Sequence, residues 1–142
     1  MYYLKAESSF DAAHFLAGYQ GKCSNIHGHH WIVQLRICGS AVQNGGQERG
    51  MLVDFSQLKR DLKALADTMD HTLIYETGTL RAHTLEALTE DGFSLTEVCF
   101  RPTAENFSRY FFDRMTELGY HVAEATVYET PNNCASYGGE EC

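Results

Sequence analysis

His27 and His29 stand two residues apart in the segment CSNIHGHHW. In an extended strand that spacing puts both imidazoles on one face, about 6.5–7 Å apart along the backbone, where they can share one metal ion. His14 has the same parity on the preceding stretch and offers a third imidazole if the two stretches pair. Three neutral imidazoles with one position open are the donor set of a catalytic zinc site. Copper, iron and nickel accept the same nitrogens. The alternative is ordinary: buried histidines often serve only as hydrogen-bonded core residues, and HGHH also reads as a polar loop before a strand. Cys23 lies four residues before His27. It is a fourth ligand that closes a structural site, or a thiol whose pKa a nearby cation lowers into use as a base or nucleophile, or a plain loop cysteine.

Two further places carry polar groups with chemical potential. Asp70 precedes His71 directly. A carboxylate that fixes a histidine's tautomer makes a general-base pair, whereas a helix-end Asp followed by a His that favours the helix dipole is the structural reading. Glu129 closes an otherwise apolar alternation of Ala123, Ala125 and Val127. A core-side carboxylate is costly without a partner. That partner is an internal Arg or Lys, or a ligand edge with two adjacent N–H donors, as pterins and guanines present. His30 points away from the His27/His29 pair and is not expected to be a ligand. His83 and His121 read as surface residues.

These residues need a scaffold, and the hydropathy pattern supplies one. Tyr2, Leu4, Ala6, Phe10 and Ala12 alternate with polar residues, so 2–14 reads as a half-buried strand. A second strand follows over about 29–38, with Trp31, Val33, Leu35 and Ile37 on one face. The stretch 39–50 is a glycine-rich loop, and 51–53 reads as the end of another strand. Asp54 looks like an N-cap for a helix running to about 70, with Phe55, Leu58, Leu62, Leu65, Ala66 and Met69 at helical spacing. The stretch to about 92 is ambiguous, with a helical turn over 85–88; 95–100 reads as extended. Pro102 and Thr103 open a second helix, Gly119 ends it, and 122–130 alternates again. The tail from Tyr137 to Cys142 is polar and expected to fray. Strands first and a sheet covered by helices on one face make an α+β sandwich.

Composition sets the bounds. The chain has 142 residues, 44% hydrophobic and 21% charged, which suits one soluble domain over residues 1–142. Its net charge of −8 disfavours a nucleic-acid partner and an anionic membrane surface. No apolar run reaches the ~18 residues of a membrane span, and the N-terminus does not read as a signal peptide. A cytoplasmic protein is expected. The five cysteines are irregularly spaced without a CxxC pair, so they do not read as a disulfide framework.

The residues together resemble a known family. FDAAH (10–14) followed by CSNIHGH (23–29) resembles the FxAAH…CxxxHGH signature of the 6-pyruvoyltetrahydropterin synthase superfamily. Val53-Asp54-Phe55 with Leu58-Lys59, Met69-Asp70-His71, Pro102-Thr103-Ala104-Glu105-Asn106 and Tyr128-Glu129-Thr130 are similar to further motifs of that family, in the same order. The similarity runs from about 3 to 138 and points to the bacterial 6-carboxytetrahydropterin synthase branch of queuosine and deazapurine biosynthesis. The resemblance implies a tunnelling fold: an antiparallel four-stranded sheet with two helices on one face, assembled into an oligomeric barrel, a hexamer built as a dimer of trimers. It implies that His14, His27 and His29 hold Zn²⁺ and that Cys23 is a catalytic acid/base. Asp70 and His71 are implied to be a catalytic pair lent by a neighbouring subunit. Glu129 is implied to anchor the pterin ring, with Thr103 and Glu105 helping. Three features depart from the pattern: His30 after HGH, a long 72–101 segment, and Asn132-Asn133, which resembles the pyruvoyl branch.

The implied substrate is 7,8-dihydroneopterin triphosphate. Zinc would act as Lewis acid on its side-chain hydroxyls, and Cys23 with the Asp70–His71 pair would move protons. Triphosphate leaves; carbon–carbon cleavage then gives 6-carboxytetrahydropterin and acetaldehyde, whereas the pyruvoyl branch keeps the carbon chain. So anionic a substrate requires a local basic cluster, for which Lys5, Lys22, Arg36 and Arg101 are candidates. A second class of function is a non-catalytic module that binds zinc or pterin, its structural zinc held by Cys23 and the three histidines. A zinc hydrolase is a weaker third.

Overall fold

The computed structural model describes residues 1–139; Glu140, Glu141 and Cys142, the end of the tail expected to fray, lie outside the described residues. Six strands form one mixed sheet in the order β4-β3-β1-β2-β5-β6. They are β1 (Tyr2–His14), β2 (His27–Gly39), β3 (Thr72–Glu76), β4 (Leu95–Val98), β5 (Val122–Thr130) and β6 (Asn133–Gly138). Among the described residues three α-helices accompany them: α1 (Phe55–Asp67), α2 (Ala82–Glu90) and α3 (Ala104–Glu117). The four strands β1, β2, β5 and β6 pair antiparallel. Beyond the expected four, β3 and β4 extend the sheet in parallel at its other end, and α2 is a full helix where a single turn was expected. The class is α+β.

Burial follows the alternation read from the sequence. Ala6, Phe10 and Ala12 of β1, with Trp31, Val33, Leu35 and Ile37 of β2, turn inward. Leu58, Leu62 and Ala66 of α1 and Phe107, Phe111 and Met115 of α3 complete that core. Phe10 stacks on Trp31 with centroids 6.0 Å apart, and Phe107 meets Trp31 edge-on at 4.9 Å. Such aromatic pairs add to what area burial alone supplies. Phe55 is the exception in the α1 stripe: it is half exposed at the first turn.

Caps fix the helix starts as expected. The Asp54 carboxylate accepts from the Ser56 N–H at 2.7 Å, and the Thr103 hydroxyl accepts from the Asn106 N–H at 3.3 Å. Gly119, at φ 96, follows α3 in the left-handed region that glycine tolerates best. Two expectations need correcting. Residues 51–53 are loop rather than strand; their main chain bonds back within the loop, Gln43 N–H to Met51 C=O at 2.9 Å. Tyr137 and Gly138 do not fray: they are paired to β5 as the end of β6. Among the described residues no helix is long and apolar enough to cross a membrane.

Candidate functional site

The β1–β2 ladder puts His14 opposite His27 at its end, and His29 opposite Ala12. All three imidazoles take the inward parity beside Trp31, so they form one cluster at the end of the core. Ring centroids lie 4.5 Å apart for His14–His27, 5.1 Å for His14–His29 and 4.9 Å for His27–His29. Glu129 of β5 reaches the same place. The ligand atoms of His14, His27, His29 and Glu129 all lie within 4.8 Å of one another.

The hydrogen bonds around the cluster fix its protons. His14 Nδ1–H donates to the Pro102 carbonyl at 2.7 Å, and His27 Nδ1–H donates to the Asn25 carbonyl at 2.7 Å. A carbonyl only accepts, so each neutral ring carries its proton on Nδ1 and a lone pair on Nε2. Those two Nε2 atoms stand 3.1 Å apart. Two lone pairs at that distance repel unless a proton or a metal ion lies between them. Burial makes the proton unfavourable on His14, whose pKa it lowers from 6.5 to about 4. His29 is shifted downward by burial as well, against the pull of Glu129. Its Nε2 is buried without a hydrogen bond; Glu129 Oε1, at 3.2 Å, is close but misdirected. Tetrahedral zinc with bonds of 2.0–2.1 Å holds its ligand nitrogens about 3.3 Å apart. The donor set, the fixed tautomers and the unsatisfied His29 Nε2 therefore fit a divalent transition metal.

The other expected site residues are distributed around this cluster. Cys23 lies on a single 3-10 turn (Lys22–Ser24) between β1 and β2, half-buried, with its carbonyl accepting from the Leu16 N–H at 2.8 Å. Its thiol is free and is not among the four clustered groups; Glu129 holds the fourth place. Thr103 follows Pro102, the anchor of His14, and its hydroxyl caps α3. Glu105 is exposed in the first turn of α3, where a negative charge suits the helix dipole.

Asp70 and His71 do form a couple. Asp70 Oδ2 accepts from His71 Nδ1 at 2.8 Å, and Asp70 Oδ1 accepts from the Asp11 N–H at 2.8 Å. The bond from Asp11 and the one from His71 hold the Asp70 carboxyl below its ordinary range, and Asp70 raises His71. The helix-dipole reading fails, because α1 ends at Asp67 and His71 lies beyond it in the left-handed region at φ 56. The His71 side chain is 79% exposed and lines a cleft of about 660 Å³ with Asp11, His30, Leu73, Phe93 and Leu95.

Sequence reading missed the Asp11–His30 bond, Nδ1 to Oδ1 at 2.7 Å. The signal was available: once His14 faces His27, antiparallel counting puts Asp11 opposite His30 on the outer face. The carbonyls of Asn25 and Pro102 had no signal, since any residue carries one. Of the basic candidates, Arg36 stacks on Tyr3 and Arg101 donates to the Ala17 carbonyl at 3.1 Å, while Lys5 and Lys22 are exposed.

The chain is similar to known proteins in sequence and in fold. A model of the 6-pyruvoyl tetrahydropterin synthase family matches residues 3–140. A 6-carboxy-5,6,7,8-tetrahydropterin synthase of Haemophilus influenzae is 36% identical over 140 residues, covering 96% of this chain and 99% of that protein. One from Synechocystis is 31% identical over 128 residues, covering 83% and 99%. Among solved structures, the 6-pyruvoyltetrahydropterin synthase of Plasmodium vivax superposes with TM-score 0.71 at 22% identity, covering 96% of each chain. That of Caenorhabditis elegans gives 0.68 at 23%, covering 98% of this chain and 96% of that one. The similarity shows the tunnelling fold.

Proposed function

The chain belongs to the 6-pyruvoyl tetrahydropterin synthase family, and from that premise we propose that it is a 6-carboxytetrahydropterin synthase, a cytoplasmic lyase of queuosine and deazapurine biosynthesis. The reaction takes 7,8-dihydroneopterin triphosphate and water to 6-carboxytetrahydropterin, acetaldehyde and triphosphate. The observation that carries this reading is the inward cluster of His14, His27, His29 and Glu129 in a chain 36% identical, over nearly its whole length, to a relative of that name.

His14, His27 and His29 would hold zinc. Bound there, it supplies Lewis-acid polarisation of the substrate's side-chain oxygens. The Nδ1–H bonds to Pro102 and Asn25 keep two of these rings oriented with Nε2 inward. Glu129 accepts the paired N–H edge of the pterin as a two-oxygen acceptor, with Thr103 and Glu105 around the ring. Cys23, outside the cluster and free, exchanges protons with the side-chain carbons.

The Asp70–His71 couple is the second proton-handling group. Its His71 side chain is largely exposed, its Asp70 is half-buried, and both lie outside the cluster. We read it as serving the cluster of a neighbouring subunit in a homo-oligomer, a hexamer of two trimers, with the cleft beside His71 at the contact.

One incubation tests the activity. Zinc-loaded protein with 7,8-dihydroneopterin triphosphate should give 6-carboxytetrahydropterin and one equivalent of acetaldehyde, read by mass spectrometry and an aldehyde trap. A pyruvoyl product without acetaldehyde moves the chain to the other branch. Bound zinc without turnover leaves a pterin-binding module.

A further inference from the structure

Asp11 faces outward on β1, directly across the ladder from His30. Its three polar groups all serve one end of the sheet. Its N–H donates to Asp70 Oδ1 at 2.8 Å, and its carbonyl accepts from the His71 N–H at 2.6 Å. Its carboxylate accepts from His30 Nδ1 at 2.7 Å. Asp70 closes the chain onto His71 Nδ1 at 2.8 Å. Two carboxylate–imidazole couples are thus joined through one residue, and Asp11, His30 and His71 share the wall of one cleft.

The backbone supports this reading. Among the described residues His71 is the one non-glycine residue at positive φ. A residue so bulky stays there only where its surroundings over-determine the conformation. The Asp11 main chain does so from both sides, its carbonyl taking the His71 N–H and its N–H holding the Asp70 carboxylate, one residue before the parallel pairing of Ala12 with Thr72. The charges act at the same place. Asp70 and, more weakly, Asp11 raise His71, while Lys63 of α1 acts on Asp70 and His30 of β2 holds the Asp11 carboxylate.

We propose that Asp11 is a positioning residue for the Asp70–His71 couple and that His30 pins the Asp11 carboxylate, so the four side chains act as one unit. Without His30 the exposed Asp11 carboxylate is free to turn and to compete with Asp70 for the His71 imidazole. The inference rests on reading Asp70–His71 as a proton-handling pair.

The test uses the full zinc-loaded chain with isotope-labelled histidine, the His71 signal assigned by loss in His71→Gln. Asp11→Asn keeps both main-chain bonds and removes the charge. It should lower the His71 titration midpoint, by less than Asp70→Asn does, and lower kcat about tenfold to a hundredfold. KM and zinc content should stay unchanged. His30→Ala should lower kcat as well, and His30→Asn, which retains a donor to Asp11, should restore most of it. An unmoved midpoint together with an unmoved kcat in Asp11→Asn overturns the proposal. So does an equal loss in His30→Ala and His30→Asn, which tests it even if Asp11→Asn fails to fold. Absence of turnover in the unmutated chain defeats the proposed activity instead, and the His71 midpoint still reads the positioning.

Discussion

Loading and stripping a metal ion is the perturbation to which the histidine cluster should respond most. Both Nδ1–H groups of His14 and His27 are committed to carbonyl oxygens, and their Nε2 atoms face each other at 3.1 Å. A bound cation turns that repulsion into two bonds, so it binds the folded chain far better than the unfolded one. Zinc held free at about 1,000 times its Kd then stabilises the fold by about 4 kcal/mol. For 142 residues, an unfolding entropy near 2 cal/mol/K per residue converts this to a Tm shift of roughly 13 °C. The stripped chain should still be folded, because Phe10, Trp31, Phe107 and Phe111 are buried by α1, α3 and the sheet without help from the metal. The assay is thermal melting by far-UV circular dichroism, chelator-stripped against zinc-titrated, with metal content measured in parallel. A shift under about 2 °C would refute the metal site. Loss of the helical signal on stripping would refute the catalytic reading in favour of a structural zinc.

Three further outcomes follow from the same geometry. Cys23→Ala should keep one zinc per chain and lose about 10²–10⁴-fold in turnover; loss of zinc would make the thiol a ligand after all. Glu129→Gln replaces one acceptor oxygen with a donor that opposes the pterin edge. It should cost roughly 2–4 kcal/mol of binding, about 30- to 1,000-fold in kcat/KM, and a loss under threefold would remove Glu129 from substrate recognition. In the metal-free chain the depressed pKa of His14, about 4 against 6.5, means the unfolded state takes up that proton first. Stability should therefore fall as the pH drops from 6.5 towards 4, by up to about 3 kcal/mol. Urea unfolding of His14→Gln should show a flatter profile across that window, and identical slopes in the two proteins would refute the assignment.

Much of this was legible because strand alternation carries both fold and site. The inward parity that buries Phe10 and Trp31 also carries His14, His27 and His29, so one periodicity located the core and the cluster together. Glu129 was legible for the same reason, as a carboxylate on an apolar face. The caps at Asp54 and Thr103 were legible because their chemistry is local. What stayed hidden depends on pairing. β3 and β4 are five and four residues long and lie parallel to their neighbours, so no hairpin turn announces them. β6 is short and largely exposed, with Asn, Cys, Ser and Gly among its residues, and its strand character comes from β5 rather than from its own side chains.

The Asp70–His71 couple shows why adjacency alone decides little. Neighbouring side chains on a regular helix or strand diverge, and these two meet only because His71 sits at φ 56. That conformation is imposed from β1: the Asp11 carbonyl accepts from the His71 N–H, and the Asp11 N–H holds the Asp70 carboxylate. Local propensity opposes it, and only the tertiary pairing of Asp11 with this turn makes it the stable choice. A site built this way tolerates change in its flanking sequence but not in its register. Sliding β1 by one residue against its neighbours would carry His14, Asp11 and the anchor of His71 to the wrong face at once. The same strand thus places His14 inward in the histidine cluster and Asp11 outward beside the Asp70–His71 couple, and the core packed behind Phe10 and Trp31 holds both in register.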